Sequence, residues 1–234
     1  MTTSIQTVAV IGTGVIGSSW TALFLSRGLH VIVSDPVPDA KSKLAAYLQK
    51  EMPTLEKMGL ADGASISNYK FVENIDEHLP HVDIVQENAP EKLEFKRKLI
   101  AKLDARTRED VIIASSSSSI PSSQFISDCQ RNPNRVLIGH PFNPPHLIPL
   151  VEVVPHPQTD EKYSQQAMEF YHTTVAAGLG LRWALTGPFM TNILGGGGGK
   201  TSFKKLLEHL APAAQGWTKD MNEHSFDYSE ESLA

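Results

Sequence analysis

A histidine and a glutamate, His140 and Glu152, stand twelve positions apart in the stretch HPFNPPHLIPLVEVVP, with four prolines between them. A carboxylate that accepts a hydrogen bond from one imidazole nitrogen fixes the tautomer of the ring and stabilises its protonated form. The other nitrogen is then free to take a proton from a hydroxyl group. The pair therefore offers the general base that oxidation of an alcohol without a metal requires. The competing interpretation is a stiff proline turn that carries a structural histidine and an edge charge.

The surrounding residues favour the acid/base pair. His140 follows the predicted strand RVLIG, which places it at the same end of the sheet as a glycine-rich turn near the N-terminus. The segment LIPLVEVV has the composition of an extended strand, and the prolines ahead of it predict a turn. The chain can thus return past the histidine, so we expect His140 and Glu152 to lie within hydrogen-bond distance of each other.

The glycines of VAVIGTGVIGSSW have the spacing of a dinucleotide-binding turn. Gly12, Gly14 and Gly17 lie between a predicted strand and a predicted helix, where they permit a tight turn and a close approach of the backbone to a pyrophosphate. Asp35 ends the second predicted strand, where a carboxylate can bind the adenosine ribose hydroxyls and repel a 2'-phosphate. NAD is therefore favoured over NADP. The alternative role for Asp35 is that of a turn residue before Pro36.

A run of serines, ASSSSSIPSSQF, resembles a linker by composition. It directly follows the predicted strand DVIIA, however, and ligands of parallel sheets bind at the carboxyl ends of the strands. One of these hydroxyls is therefore expected to hold a substrate oxygen. The spacing leaves open which of the five serines at 115–119 does so.

Between Ile5 and about Gly139, short apolar runs alternate with longer stretches of helical period. Such alternation predicts an α/β fold, a Rossmann-type doubly wound and mainly parallel sheet. The predicted strands are IQTVAVIG, HVIVSD, YKFV, VDIV, DVIIAS and RVLIG. The predicted helices are VIGSSWTALFLSRG, stopped by Gly28, then EKLEFKRKLIAKL, opened by Pro90, and TDEKYSQQAMEFYHTT. A further helix between residues 39 and 58 is expected to bury one face, which consists of Leu44, Leu48, Met52, Leu55 and Met58.

The composition limits the possible partners. The 21 basic and 26 acidic residues give a formal charge of −5 without a Lys/Arg cluster of the kind that binds a phosphate backbone, so nucleic acid is not expected. Cys129 is the only cysteine, which excludes an intramolecular disulfide and a cysteine-built zinc site, and no metal is expected. The stretch MTTSIQTVAVIG has no basic region ahead of an apolar one. We expect a cytoplasmic protein that binds a small-molecule substrate and no membrane.

Four stretches in order, VIGTGVIGSSW, QENAPEKLEFKRKL, SSSSSIPSSQF and HPFNPPHLIPLVEVVPHPQT, resemble the 3-hydroxyacyl-CoA dehydrogenase superfamily. Within it they are most similar to the branch that contains L-gulonate 3-dehydrogenase (lambda-crystallin). The match runs from Ile5 to roughly Thr174. The resemblance implies a Rossmann-type NAD domain followed by a helical domain that forms a homodimer and closes the substrate cleft.

The resemblance also implies roles for individual residues. His140 would be the general base, oriented by Glu152. Ser118 and Asn143 would lie near the nicotinamide, with Ser118 bonded to the reacting oxygen. The remaining NAD contacts would come from Val15, Ile16, Asp35, Glu91 and Lys96, together with the three glycines.

The chain departs from the family pattern after about Thr174. The G-F-x-x-N-R-L type motif that follows the His/Glu strand in the family is absent, and a block of the helical domain is missing near Val175. We therefore predict an NAD domain at residues 1–174 and a truncated all-α remnant with a disordered tail at 175–234. Loss of this block would weaken dimerisation and uncover apolar residues, namely Leu179, Leu181, Trp183, Leu185 and Phe189.

The resemblance implies NAD-dependent oxidation of the 3-hydroxyl of a small hydroxy acid such as L-gulonate. One alternative is a 3-hydroxyacyl-CoA substrate. The other is a catalytically impaired, truncated paralogue that still binds NAD.

Overall fold

A computed structural model describes residues 5–148 and 150–174, together with the helical positions 204, 208, 215 and 219. The predicted domain boundary between residues 174 and 175 stays a prediction. The apolar residues expected to be uncovered, at positions 179–189, lie outside the described residues, as does the acidic tail.

The described chain alternates strands and helices, as the apolar pattern predicts. The strands are β1 (Thr7–Ile11), β2 (His30–Ser34), β3 (Tyr69–Phe71), β4 (Ile84–Glu87), β5 (Ile112–Ser115), β6 (Val136–Pro141) and β7 (Val151–Val154). The helices are α1 (Val15–Ser26), α2 (Ala40–Met58), α3 (Leu93–Arg106), α4 (Ser122–Phe125) and α5 (Glu161–Thr174). Two short 3-10 turns lie at Leu79–His81 and Pro133–Arg135.

These strands form one sheet in the order β3-β2-β1-β4-β5-β6-β7, in which all pairs are parallel except β6 with β7. The predicted fold class, a mainly parallel doubly wound sheet, is confirmed. The strand order reverses between β1 and β4, which opens a crevice outside the carboxyl ends of these strands. Ligands of such sheets bind in that crevice.

Helices cover both faces of the sheet, so the central strands are buried apolar runs. On one face α1 and α5 meet through tilted aromatic rings, with Tyr171 against Trp20 at a centroid distance of 5.5 Å and Phe170 against Phe24 at 5.6 Å. The expected stop of α1 is confirmed, because the helix ends at Ser26 and Gly28 has a φ of 78°. This helix therefore reaches the core along nearly its whole length.

The apolar face predicted for α2 is confirmed at four of its five positions. Leu44, Leu48, Met52 and Leu55 are buried, whereas Met58 is 58% exposed. Met58 is the last residue of the helix, beyond the part that packs on the sheet.

The predicted start of α3 at Pro90 is wrong, since the helix begins at Leu93. The preceding residues form a loop in which the Lys92 N–H donates to the Pro90 carbonyl at 2.8 Å. The Glu91 side chain is drawn toward the serine run, where it accepts four hydrogen bonds. These tertiary contacts outweigh the local preference of proline for a first helical turn.

A buried ion pair ties α3 to the turn before β6. Arg135 and Asp104 are both fully buried, and an Arg135 guanidinium nitrogen donates to Asp104 Oδ1 at 2.8 Å. Asp104 also accepts backbone N–H bonds from Arg131 at 2.8 Å and Asn132 at 3.0 Å. Burial alone would raise the pKa of Asp104, but the Arg135 and backbone donors hold it below its ordinary value.

Replacing Asp104 with Asn should therefore destabilise the fold by about 3–5 kcal/mol, because it leaves the Arg135 charge buried without its counter-charge. The wild-type pair contributes fully above the unfolded pKa of the carboxyl, and that contribution is lost as the pH falls through the lower folded pKa. The variant should accordingly lose less stability on acidification. Urea unfolding at a series of pH values measures both effects.

The matched control is Asp110→Asn, which removes an exposed carboxylate that pairs with Arg108 at 3.2 Å. It should change the free energy of unfolding by no more than about 1 kcal/mol. Equal losses in the two variants would contradict a special role for the buried pair.

Candidate active site

The candidate residues gather at the carboxyl ends of four neighbouring strands. The glycine turn follows β1, Asn88 follows β4, the serine run follows β5 and His140 lies near the end of β6. Parallel strands end at the same edge of a sheet, so residues far apart in sequence meet there. This edge contains the crevice between β1 and β4.

At two of the three glycines, neighbouring protein atoms leave no room for a side chain. Gly12 has a φ of 85°, and a Cβ on it would lie 2.8 Å from the carbonyl oxygen of Asn88. A Cβ on Gly17 would overlap the Gly12 carbonyl. Gly14 differs, because a Cβ there would meet no atom of the described part of the chain within 4 Å. The glycine turn is therefore packed at two positions and open at the third, where a ligand can approach the backbone.

The N-terminus of α1 has the properties of an anion site. No side chain of the described residues caps it, and its first turn contains no acidic residue. The N–H groups of a helical first turn have no partner within the helix, and the helix dipole favours a negative charge beside them. Val15 is 62% exposed at this end, and Ile16 is half-buried. The turn and the helix therefore fit the pyrophosphate of a dinucleotide such as NAD.

Asp35 immediately follows β2 and bonds to the glycine turn. Its Oδ2 accepts hydrogen bonds from the N–H of Thr13 at 2.6 Å and from the Thr13 hydroxyl at 2.8 Å. Its Oδ1 accepts the N–H of Val37 at 2.8 Å, so Asp35 also acts as the turn residue before Pro36. The carboxylate is only partly buried and lines a cavity together with Pro36, Val37 and Tyr69. A ribose placed in that cavity could reach it.

The serine run presents one hydroxyl to the site. Protein oxygens accept the other four hydroxyls, in the pairs Ser115 to Glu87, Ser116 to Asn88, Ser117 to Glu91 and Ser119 to Glu91. The Ser118 Oγ instead lies 3.0 Å from His140 Nε2. Among the five serines, the structure therefore brings Ser118 to the histidine.

The expected contact between His140 and Glu152 is present. The antiparallel register of β6 and β7 sets these residues opposite each other, and Nδ1 lies 2.8 Å from Glu152 Oε2. The histidine side chain is 27% exposed and the glutamate 54%. A hydrogen bond from Nδ1–H to the carboxylate leaves Nε2 as an acceptor, so the Ser118 hydroxyl donates to it. The three residues thus form one line of hydrogen bonds that ends at an exposed hydroxyl.

Glu91 holds the serine run in place. Its Oε1 accepts the Ser117 hydroxyl at 2.5 Å, the Ser119 N–H at 2.9 Å and the Ile120 N–H at 3.2 Å. Burial alone would raise the pKa of Glu91, but the Ser117 and Ser119 donors and nearby Lys96 lower it below its ordinary value. The carboxylate is thereby engaged with the loop that carries Ser118, and its predicted contact with NAD stays a prediction.

Lys96 lies inside the protein, and the contact with NAD that the resemblance implies for it stays a prediction. It is 1% exposed, and its Nζ donates to both carboxylate oxygens of Glu87 at 3.0 and 2.9 Å and to the Ala89 carbonyl at 3.3 Å. The side chain lies on the buried face of α3 beside Ile100. Its ammonium group therefore donates to protein oxygens, and it stabilises the candidate site from inside the protein.

Sequence reasoning missed Glu87. It ends β4 with no exposed surface and accepts the Ser115 hydroxyl and the Ala89 N–H as well as Lys96. A glutamate at the end of the apolar run VDIVQE, nine residues before a lysine, was the available signal. A charge in a buried strand needs a partner, and Lys96 is within reach once α3 packs on the sheet.

His146 was also missed, although it lies in the same proline stretch as His140. It is 4% exposed, with Nδ1 2.6 Å from Ser19 Oγ and Nε2 3.3 Å from Glu51 Oε2. Burial is the largest effect on its pKa and lowers it, against the opposing influence of Glu51. These contacts fasten the β6–β7 loop to α1 and α2. Asn143 lies in the same loop, and its contact with the nicotinamide stays a prediction.

Two further observations concern the described ranges only. No group of three or more His, Cys, Asp or Glu side chains there is arranged to hold a metal ion. Likewise, none of the helices within those ranges has the length and apolar character needed to cross a membrane.

Comparison with known proteins identifies the fold's relatives. The family described as 3-hydroxyacyl-CoA dehydrogenase, NAD binding domain, matches residues 7–176. A protein named 3-hydroxyacyl-CoA dehydrogenase from Gibberella moniliformis is 46% identical over 278 residues, which cover 100% of this chain and 86% of the relative. L-carnitine dehydrogenase from Nocardiopsis dassonvillei is 36% identical, with 92% of this chain and 78% of the relative covered.

Among solved structures, 3-hydroxybutyryl-CoA dehydrogenase from Escherichia coli matches with a TM-score of 0.68 at 28% identity. The match covers 74% of this chain but only 37% of that one. The alignment with the Gibberella relative runs over 278 residues, 44 more than the 234 of this chain, so parts of that relative have no counterpart here.

The buried Lys96–Glu87 pair predicts that replacing one partner destabilises the protein more than replacing both. Lys96→Met should destabilise the protein by about 3–5 kcal/mol, because the Glu87 carboxylate is then left without its cation. Adding Glu87→Gln to that variant should restore a large part of the loss, since a neutral amide costs far less to bury. Urea unfolding of both single variants and the double variant gives the coupling energy.

Lys102→Met is the control, because Lys102 is 48% exposed and its partner Asp76 keeps 21% of its side chain exposed. Its effect should stay within about 1 kcal/mol. Additive losses at Lys96 and Glu87, with no recovery in the double variant, would refute the coupling.

Proposed function

This chain belongs to the 3-hydroxyacyl-CoA dehydrogenase family, and from that premise we propose that it oxidises the 3-hydroxyl group of a small hydroxy acid with NAD. The observation that carries the proposal is the line of hydrogen bonds from Ser118 through His140 to Glu152. It ends in an exposed hydroxyl at the carboxyl edge of the sheet, on the side where the glycine turn fits a dinucleotide.

The reaction follows from the tautomer of His140. With Nδ1–H donating to Glu152, the lone pair of Nε2 is the acceptor and holds the Ser118 hydroxyl in the free site. A substrate hydroxyl that displaces Ser118 from Nε2 then gives its proton to this nitrogen. The carboxylate then stabilises the imidazolium that forms. Ser118, 3.0 Å from Nε2, is placed to bond the same substrate oxygen and to direct it at the base. When bound, NAD supplies the acceptor for the hydride that leaves the carbinol carbon.

The substrate class is the finer part of the proposal. We favour a free 3-hydroxy acid of the L-gulonate type, because the stretches NPPHLIPLVEVVPHP and GLGLRWALTGP resemble the branch that contains L-gulonate 3-dehydrogenase. Relatives named for L-carnitine, itself a small hydroxy acid, agree with this class, whereas the Gibberella relative is named for a CoA thioester. Turnover with NAD on L-gulonate, L-carnitine, 3-hydroxybutyrate and 3-hydroxybutyryl-CoA separates these classes.

A second candidate is an NAD-binding paralogue without turnover. It is favoured by the 44 aligned positions of the Gibberella relative that this chain lacks and by the missing G-F-x-x-N-R-L type motif. Binding of NAD with no turnover on the whole substrate panel would support this candidate. Sedimentation of the same sample measures whether the homodimer of the family forms.

Asp35 is expected to determine the preference of the protein for NADH over NADPH. If its carboxylate binds the ribose diol, NADH should bind more tightly than NADPH, and Asp35→Ala should narrow the difference. The lost charge-assisted hydrogen bonds should cost NADH roughly 1.5–3 kcal/mol of binding free energy. Fluorescence titration with both nucleotides measures this difference.

Asp35→Asn is the matched variant, because an amide keeps the shape of the side chain without the negative charge. It should weaken the discrimination against NADPH more than it disturbs the fold. Equal affinities for NADH and NADPH in the unaltered protein would contradict the assignment.

His140→Gln should remove turnover while leaving NAD binding nearly unchanged, because the base lies away from the adenosine half of the cofactor. The expected loss in kcat is roughly 10²–10⁴-fold. Glu152→Gln should lower kcat less, since the imidazole remains but loses the charge that stabilises its protonated form. His81→Gln, at an exposed histidine in a 3-10 turn, is the control. Similar kcat values for His140→Gln and His81→Gln would exclude His140 as the base.

A further inference from the structure

The contacts of Ser118, His140 and Glu152 also suit a second reaction. In acyl transfer by serine enzymes, a serine hydroxyl bonds to Nε2 of a histidine, and a carboxylate bonds to Nδ1 of the same ring. The same two nitrogens are used here, with Ser118 Oγ 3.0 Å from Nε2 and Glu152 Oε2 2.8 Å from Nδ1. Such constellations are recognised by geometry and occur on unrelated folds.

We propose that Ser118 is a nucleophile and that this site hydrolyses small, activated carboxylic esters through an acyl-Ser118 intermediate, without NAD. Among the residues that the structure describes, no carboxylate or carbonyl accepts this hydroxyl, unlike those of its four neighbours in the run. It is also exposed, whereas Ser115 and Ser117 are buried. An ester can therefore reach Ser118 Oγ from solvent.

The backbone of the serine run provides a donor for the developing oxyanion. Neighbouring N–H groups are already occupied, those of Ser119 and Ile120 by Glu91 and that of Ser117 by Ser115 Oγ. Within the described residues, the N–H of Ser118 donates to no protein acceptor. The N–H of the nucleophile itself is a common member of an oxyanion hole, where it stabilises the tetrahedral intermediate.

The reaction balances with water as the only other reactant. Nε2 of His140 takes the Ser118 proton as Oγ attacks the ester carbonyl, and the imidazolium then protonates the leaving alkoxide as the C–O bond breaks. A water molecule next gives its proton to Nε2 and attacks the acyl-serine. The carboxylic acid leaves, Ser118 Oγ recovers its proton, and no electrons are transferred.

The structure also limits the substrate. One backbone N–H gives weaker oxyanion stabilisation than the two donors of a full oxyanion hole, and Glu152 is 54% exposed, so its charge is partly screened by water. We therefore expect turnover of short acyl groups with good leaving groups, and p-nitrophenyl acetate is the suitable probe.

The test measures hydrolysis of p-nitrophenyl acetate by the full chain without NAD. Ser118→Ala and His140→Gln should each lower kcat/KM by at least about tenfold. Acid quenching during turnover, followed by peptide mass spectrometry, should find an acetyl group on Ser118. Because the labelling uses the unaltered protein, it remains decisive even where a variant folds poorly.

The controls are Ser127→Ala and His81→Gln, which alter an exposed serine and an exposed histidine away from the site. Both should hydrolyse the ester at the unaltered rate. Hydrolysis that needs His140 but not Ser118, or an acetyl group found only on other residues, would overturn the proposal. So would hydrolysis no faster than in the Ser118→Ala variant.

This assay is independent of the proposed dehydrogenase. Ester hydrolysis without any NAD-dependent turnover would leave the acyl-serine proposal standing and remove the oxidation. Turnover of a hydroxy acid without acetylation of Ser118 would do the reverse.

Discussion

The buried ion pair between Lys96 and Glu87 is the contact on which the rest of the site depends. It joins the end of β4 to α3. Glu87 also accepts hydrogen bonds from the Ser115 hydroxyl and the Ala89 N–H. Burying two charges costs several kcal/mol of desolvation for each ion. A well-packed apolar pair would stabilise the fold equally well, so the main effect of this ion pair is to position neighbouring segments. It sets where β5 ends and where the serine run starts.

Hydrogen bonds along this edge of the sheet connect the ion pair to Ser118 and His140. Lys96 lies 3.7 Å from Glu91, and Glu91 gathers the donors of the serine run. Ser118 is left directed at His140, whose position comes from a different constraint, the antiparallel pairing of β6 with β7. In such a pair, residues directly opposite share one face of the sheet. The proline loop and buried His146 fix the register that brings Glu152 to the histidine.

The sequence predicted the parts of this arrangement that are local. Apolar runs gave the strands, the glycine spacing gave the turn, and the extended segment after the proline loop placed Glu152 beside His140. What the pattern could not supply were contacts between residues 26 to 28 positions apart, such as those of Glu91 with the serines. The same contacts explain the error at Pro90, where a tertiary anchor delays the helix. The family resemblance implied that Lys96 contacts NAD, and a lysine alone does not reveal the buried carboxylate of Glu87 with which it pairs.

One imidazole can serve both proposed reactions because each begins with the same event, the loss of a hydroxyl proton to Nε2. They differ in which hydroxyl is deprotonated. In the oxidation it belongs to the substrate, and Ser118 remains a neutral donor beside it. In the hydrolysis it belongs to Ser118, and the substrate presents a carbonyl carbon within reach of Oγ. The orientation of Ser118 toward Nε2 in the free site is the starting state for the second reaction, and a bound hydroxy acid must displace that bond to enter the first. A substrate hydroxyl that binds Nε2 therefore protects the serine, and competition for one lone pair decides between the two chemistries.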